Sequence, residues 1–229
     1  MITKSKLLSF YKLYKAYNTR QFECSFSQYG EDVIVRQILN SLKIYKPTYL
    51  DIGAHDPITL SNTYSFYLRH SRGVLIEPNS LLIPRLKKYR EYDTIVNAGI
   101  GNGIQKDAIL YILKDDVLST FSHDEALEYE KKGHQIKSEL SIELIGVNEV
   151  IDKYMGISPD FVSLDIEGKE MEVLTTFNFE KYRPKVFCIE TWSYAKTMKE
   201  TEIIDFMIKN NYTVAADTTL NTIFKDRNA

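Results

Sequence analysis

The chain predicts an α/β protein with a Rossmann-like, doubly wound, mostly parallel sheet that ends in a C-terminal antiparallel hairpin strand. Three observations predict it. From Thr48 onward, short aliphatic runs bounded by Gly, Pro or Asp alternate with helical stretches, the pattern of buried parallel strands joined by crossover helices. The first run closes on a glycine turn, Leu50-Asp51-Ile52-Gly53-Ala54-His55, where a doubly wound sheet faces its ligand. The last two runs, Tyr212–Ala215 and Thr219–Lys225, have Asp217 and Thr218 between them and read as a hairpin.

The elements follow in order. Leu7, Leu8, Tyr11 and Tyr14 recur at helical spacing over Ser5–Tyr17, among Lys4, Lys6, Lys12 and Lys15. A basic amphipathic helix can lie on a membrane or on a partner; packing on its own domain, or on a second copy as a homodimer, is the expectation adopted. A second helix starts near Gly30 and carries Val33, Ile34, Gln37, Ile38 and Leu42 on one face. Strands are expected at Tyr49–Ile52, Gly73–Ile76, Thr94–Ala98, Phe161–Leu164 and Lys185–Ile189. Helices are expected at Leu60–Arg69, Ser80–Arg90, Lys169–Phe177 and Thr197–Asn210. Residues 101–146 break the rhythm with one strand-like run, Ala108–Leu113, and a charged stretch, Asp124–Lys137. They read as an insertion over the open end of the sheet. The organisation expected is thus a helical extension over residues 1–45 and an α/β domain over 46–229.

Bulk properties narrow the function. A chain of 229 residues with a net charge of −2 lacks the basic excess that phosphate-backbone binding requires, so nucleic acid is not an expected partner. No run of about 20 apolar residues suggests a transmembrane segment, and the N-terminus lacks the apolar stretch of a signal peptide. Cys24 and Cys188 are too few for a disulfide framework, and the four histidines show no ligand-like spacing. These features fit a cytoplasmic protein with no structural metal.

Three strand ends carry the chemistry. Gly53 permits close backbone approach at the first, but no G-x-G-x-x-G follows and Pro57 removes a backbone donor there. An Asp before the turn is a poor neighbour for a diphosphate and suits a cationic or amino-bearing ligand. At the second, Ile76-Glu77-Pro78-Asn79 places a carboxylate 24 positions after Gly53, where it can accept both hydroxyls of a ribose. An adenosine-like ligand with a positive centre and no diphosphate describes S-adenosylmethionine. At the third, Ser163-Leu164-Asp165-Ile166-Glu167-Gly168 offers Asp165 and Glu167 as general base, hydroxyl acceptor or Mg²⁺ ligands. The sequence does not require the metal. Capping of the helix that begins at Gly168 would explain either residue equally. Glu190 adds a carboxylate to the same rim.

These motifs, Asp51-Ile-Gly-Ala, Ile76-Glu77-Pro78-Asn79, Asp165-Ile-Glu-Gly-Lys-Glu170 and Pro184…Ile189-Glu190-Thr191, resemble the series of the FkbM family of methyltransferases, from about Gln28 to Thr191. Ser27-Gln28-Tyr29-Gly30-Glu31-Asp32 and Ser61-Asn62-Thr63-Tyr64 are similar to a subgroup common in bacterial surface-glycan clusters. The resemblance implies a class I methyltransferase fold and methyl transfer from S-adenosylmethionine to a hydroxyl, often on a sugar. It assigns cofactor binding to Asp51, Gly53 and Glu77, and the reaction site to Asp165 and Glu167. Ala54, Pro78 and Asn79 complete the cofactor-binding stretches. The chain departs from the pattern at Pro57, where many members have glycine, and at His55, where asparagine is usual. Gln28 and Asn62 are then candidates to hold the amino-acid end, and His55 a second candidate base behind Asp165. Tyr64, Trp192 and Tyr194 offer platforms for a sugar ring, with Glu167 and Glu190 as polar contacts. Rival readings are an acceptor that is a non-sugar small molecule or a lipid hydroxyl, a nicotinamide oxidoreductase, which the missing diphosphate loop counts against, and a non-catalytic cofactor-binding partner module.

Overall fold

A computed structural model describes residues 4–18, 23–114, 119–166, 168–193 and 197–229. Two helices lead the chain, α1 (Lys4–Asn18) and α2 (Glu31–Ser41). They are followed by β1 (Thr48–Ile52), the single-turn α3 (Tyr64–Tyr67), β2 (Arg72–Ile76), α4 (Ile83–Tyr89) and β3 (Thr94–Val96). The insertion comprises β4 (Gly99–Gly101), β5 (Asp107–Leu113), α5 (His123–Lys131) and β6 (Ile136–Gly146). Next come α6 (Val147–Val150), running into a π-helical turn at Ile151–Met155, then β7 (Phe161–Leu164), α7 (Glu170–Thr176) and β8 (Val186–Glu190). The short pair β9 (Trp192–Ser193) and β10 (Met198–Lys199), then α8 (Thr201–Lys209), β11 (Tyr212–Asp217) and β12 (Asn221–Asp226) complete it.

The main sheet has seven strands in the order β11-β12-β8-β7-β1-β2-β3. Strands β3, β2, β1, β7 and β8 are parallel, and β12 runs antiparallel to both β8 and β11. The strand order reverses between β1 and β7, so a crevice opens at their carboxyl ends. Strand alternation sorts the core into two layers. Leu50, Ile52, Ile76, Leu164 and Phe187 meet α6, α7 and α8. Tyr49, Leu75, Phe161 and Cys188 meet Val35 and Leu39 of α2, Phe66 of α3 and Leu86 of α4. Each layer buries many aliphatic and aromatic side chains, at about 1.5–3 kcal/mol each.

The expected α/β architecture is observed, with local differences. Helix α2 buries Glu31, Asp32, Val35, Arg36 and Leu39, a face rotated from the one expected, and Gln37 is exposed. The helix expected over Leu60–Arg69 is one turn, because Leu60 has φ 59° and the Ser61 hydroxyl accepts from the Tyr64 amide at 3.1 Å, which starts the turn there. The hairpin turns over Thr218–Leu220, where Thr218 and Asn221 bond across the loop. The insertion holds a three-stranded sheet, β4-β6-β5, and the charged stretch is mostly helix α5, with β6 beginning only at Ile136. In α1 the side chains of Leu7, Leu8, Phe10, Tyr11 and Tyr14 are exposed rather than packed on the domain.

Candidate active site

The site is a cleft at the carboxyl ends of β1, β2, β7 and β8. Its floor depends on Gly53, which follows β1 with φ 85°. A Cβ there would stand 1.8 Å from the Asp165 carbonyl oxygen, so only glycine lets the turns after β1 and β7 pass each other. Gly53 and Ala54 both donate to the Ile76 carbonyl, at 3.0 and 3.1 Å. His55 follows with φ 42°, a region that Asn, Asp and His tolerate better than most residues.

Glu77 is buried at the end of β2 and lines the cleft. One carboxylate oxygen accepts from the His55 amide at 2.8 Å and the other from the Asn79 amide at 2.7 Å. Burial pushes its carboxyl above the ordinary value, and those two amides oppose the shift. Each oxygen keeps a lone pair for a ligand hydroxyl. Asn97, after β3, fixes the Glu77-Pro78 backbone by donating to both carbonyls, at 2.8 and 3.0 Å.

The segment before α2 supplies Gln28. Asp32 gathers it by accepting from the Ser25 hydroxyl, the Phe26 amide and the Ser27 hydroxyl, while Gly30 turns the chain with φ 92°. Fully buried Glu31 accepts from the Tyr29 amide, the Thr218 hydroxyl and the Asn221 side-chain amide, at 2.8, 2.7 and 3.1 Å. Burial raises its proton affinity, but those bonds outweigh it and hold the carboxyl below its ordinary value.

The far wall is acidic. Asp165 and Glu190 line the cleft, and with Glu170 they bring carboxylate oxygens within 4.8 Å of one another. Burial raises the Asp165 carboxyl, a hydrogen bond with Glu190 opposes this, and the Asp51 charge adds to it. Burial lifts Glu170 to about 7, against the bond it accepts from the Ile166 amide at 2.8 Å. Such a trio can share protons or hold a hard divalent cation. No Lys or Arg is among the described residues lining the cleft. Asp56, another lining carboxylate, is paired with Arg85 at 2.8 Å. From the insertion, Leu110, Ser119 and Phe121 close the remaining side.

The structure therefore brings Gln28, Gly53, Ala54, His55, Asn62, Glu77, Pro78, Asn79, Asp165 and Glu190 to one cleft. Asn62 also donates to the Ser163 hydroxyl at 3.1 Å. Asp51, Tyr64 and Trp192 are not among its lining. Strand alternation turns Asp51 to the side of Tyr49, where it accepts from the Thr63 hydroxyl. Tyr64 packs edge-on against Phe26 with ring centroids 4.9 Å apart, and Trp192 lies in the β9–β10 pair. Glu167 and Tyr194 lie outside the described residues. Sequence reading missed Asp56, Glu170 as a cluster member, and Asn221, which reaches the cleft from a strand paired in register with Glu190.

A doubly wound sheet of this strand order, with β12 inserted antiparallel beside β8, is the class I methyltransferase form of the Rossmann-like fold. The chain matches the FkbM methyltransferase domain over residues 51–214 and belongs to that family. No curated protein matches it. Among solved structures, it is similar to TehB from Haemophilus influenzae, with 10% identity, 92% of this chain and 66% of that chain covered, and a TM-score of 0.48. The precorrin-6y C5,15-methyltransferase from Geobacter metallireducens shares 14% identity over 79% of each chain, with a TM-score of 0.43. The 1,6-didemethyltoxoflavin-N1-methyltransferase from Burkholderia thailandensis, solved with S-adenosylhomocysteine, shares 11% over 96% of this chain and 84% of that one, with a TM-score of 0.41.

Proposed function

We propose that this methyltransferase uses S-adenosylmethionine to methylate a hydroxyl of a sugar or glycan precursor. The observation that carries the cofactor assignment is Glu77: a buried carboxylate, fixed by two backbone amides, with lone pairs left for the ribose. The acidic lining supports a cationic sulfonium and opposes a dinucleotide, whose diphosphate would meet carboxylates and, among the described lining residues, no Lys or Arg. Gly53, Ala54, Pro78 and Asn79 bound the adenosine seat, and Gln28 and Asn62 stand where the amino-acid end would lie. Bound there, the cofactor supplies an activated methyl group, so the protein mainly aligns the partners and excludes water.

An alcohol is a poor nucleophile until its proton can leave. Asp165 is the base in this reading: its raised proton affinity suits uptake of the hydroxyl proton as the oxygen gains the methyl group. Glu190 would accept a neighbouring hydroxyl of the acceptor. Glu77→Ala removes charge-assisted bonds worth about 1.5–3 kcal/mol each. Calorimetry should show S-adenosylhomocysteine binding weakened by roughly ten- to a hundredfold, with no binding of NAD by either protein. Unchanged affinity in the variant would remove the ribose assignment. Turnover of labelled cofactor across matched sugars, non-sugar alcohols and lipid hydroxyls tests the acceptor class.

A further inference from the structure

Helix α1 contributes no residue to the described lining of the cleft. Leu7, Phe10, Tyr11 and Tyr14 stand at i, i+3, i+4 and i+7, so they share one helix face, and they are 64%, 63%, 60% and 68% exposed. Residues 1–22 contain Lys4, Lys6, Lys12, Lys15 and Arg20 and no acidic residue. The whole chain has 29 basic and 31 acidic side chains, so residues 23–229 hold 24 and 31. A positively charged, aromatic-faced helix thus precedes a domain that is negative as a whole.

We propose that α1 docks the protein on an anionic lipid surface. The helix would lie in the interface with its apolar face toward the acyl chains and its lysines among acidic headgroups. Tyrosine suits that depth, because its ring is apolar and its hydroxyl can stay wet. The helix does not span: 15 residues extend about 22 Å at 1.5 Å each, short of a hydrocarbon core about 30 Å thick. Among the described residues no helix is long and apolar enough to cross a membrane. Charge disfavours a second copy as the occupant. Helix α1 against α1 would bring lysine to lysine with no acidic partner on either helix. The acidic body of a second copy offers nothing that the chain's own body lacks, and Leu7, Leu8, Phe10, Tyr11 and Tyr14 are exposed although that body belongs to the same chain. This inference stands apart from the methyl-transfer reading.

The test is flotation of the full-length protein with phosphatidylglycerol/phosphatidylcholine vesicles and with phosphatidylcholine alone, at low and high salt. Binding should favour the anionic vesicles by roughly tenfold or more and weaken as salt screens the lysines. Phe10→Ser with Tyr14→Ser, and separately Lys12→Glu with Lys15→Glu, should each abolish that preference while S-adenosylhomocysteine affinity stays unchanged. That last readout separates failure here from failure of the cofactor reading. Equal binding to both vesicles, no binding, or binding that survives both double variants would overturn the proposal. So would light scattering that shows a lipid-free dimer dispersed by the same substitutions, which would assign α1 to a second copy.

Discussion

Two clusters of buried charge flank β1, and the protein treats them in opposite ways. On the α2–α4 side, fully buried Arg90 donates from Nε to Asp93 at 2.8 Å, and from its other nitrogens to the Pro57 carbonyl, the Tyr49 hydroxyl and the Thr63 hydroxyl at 3.2, 3.1 and 3.0 Å. Asp93 also accepts from Tyr49 and from the Gly73 amide, and Thr63 donates to Asp51. Each charge there has partners, and the Pro57 contact ties down the loop that carries His55, Asp56 and Asn62 into the cleft. On the cleft side, Asp165, Glu170 and Glu190 crowd together, and burial raises the proton affinity of the first two. A carboxylate with a full set of partners holds backbone in place. One raised by burial beside other carboxylates is prepared to trade protons with a ligand.

The sharpest way to break this comparison is to neutralise one member of each cluster. Asp165→Asn keeps the size of the side chain and removes its basicity. Under the base assignment, turnover should fall by roughly 10²–10⁴ while S-adenosylhomocysteine affinity changes little and the fold is not destabilised. If Mg²⁺ performs the activation instead, the parent should lose activity to a chelator and regain it on adding metal, and the variant should respond to neither. Near-normal turnover in Asp165→Asn would reject both roles and leave His55 as the next candidate.

Arg90→Met should do the reverse, acting on stability first. Removing one partner of a buried pair leaves the other uncompensated and costs about 3–5 kcal/mol. Urea unfolding should show that loss. Asp93→Asn in the Arg90→Met background should restore part of it, because the orphaned charge is then gone. If the single variant unfolds like the parent, the network is not holding the loop. Arg90→Lys tests the fork itself: it keeps the charge but cannot reach all four acceptors.

The two clusters were not equally legible. Strand β7 occupies the four residues its apolar run predicts, because a parallel strand buried on both faces leaves a continuous signal. Glu77 and Asp165 are legible as cleft residues because both end strands beside the switch point. Asp51 is not among the cleft lining, because the motif fixes its position along the strand, whereas its facing depends on which side Tyr49 packs. Strand β6 was missed although Ile136, Ser138, Leu140 and Ile142 alternate with Lys137, Glu139, Ser141 and Glu143; the exposed charges obscured a period of two. The Glu31–Asn221 contact joins residues 190 positions apart, and no local pattern can announce such a pair. Arg90 resembles any basic residue at a helix end until the fold closes over it.

The smallest predicted effect is also the one that most sharpens the contrast, because it concerns stability at the acidic cluster. Glu170 is 2% exposed, and its carboxyl titrates at about 7 in the folded protein against 4.5 ordinarily. Between those values the unfolded chain has released this proton while the folded chain still holds it. Stability from this group is therefore present below about pH 4.5 and lost as pH rises through about 7. Glu170→Gln keeps an oxygen to accept from the Ile166 amide and abolishes the titration. Relative to the parent, the variant should gain about 1–3 kcal/mol between pH 5 and pH 8, read as a diverging pair of urea midpoints across that range. Parallel pH profiles would mean that Glu170 is ionised in the folded state and that the cluster is balanced after all. The contrast with Arg90, whose neutralisation alone should cost stability, would then disappear.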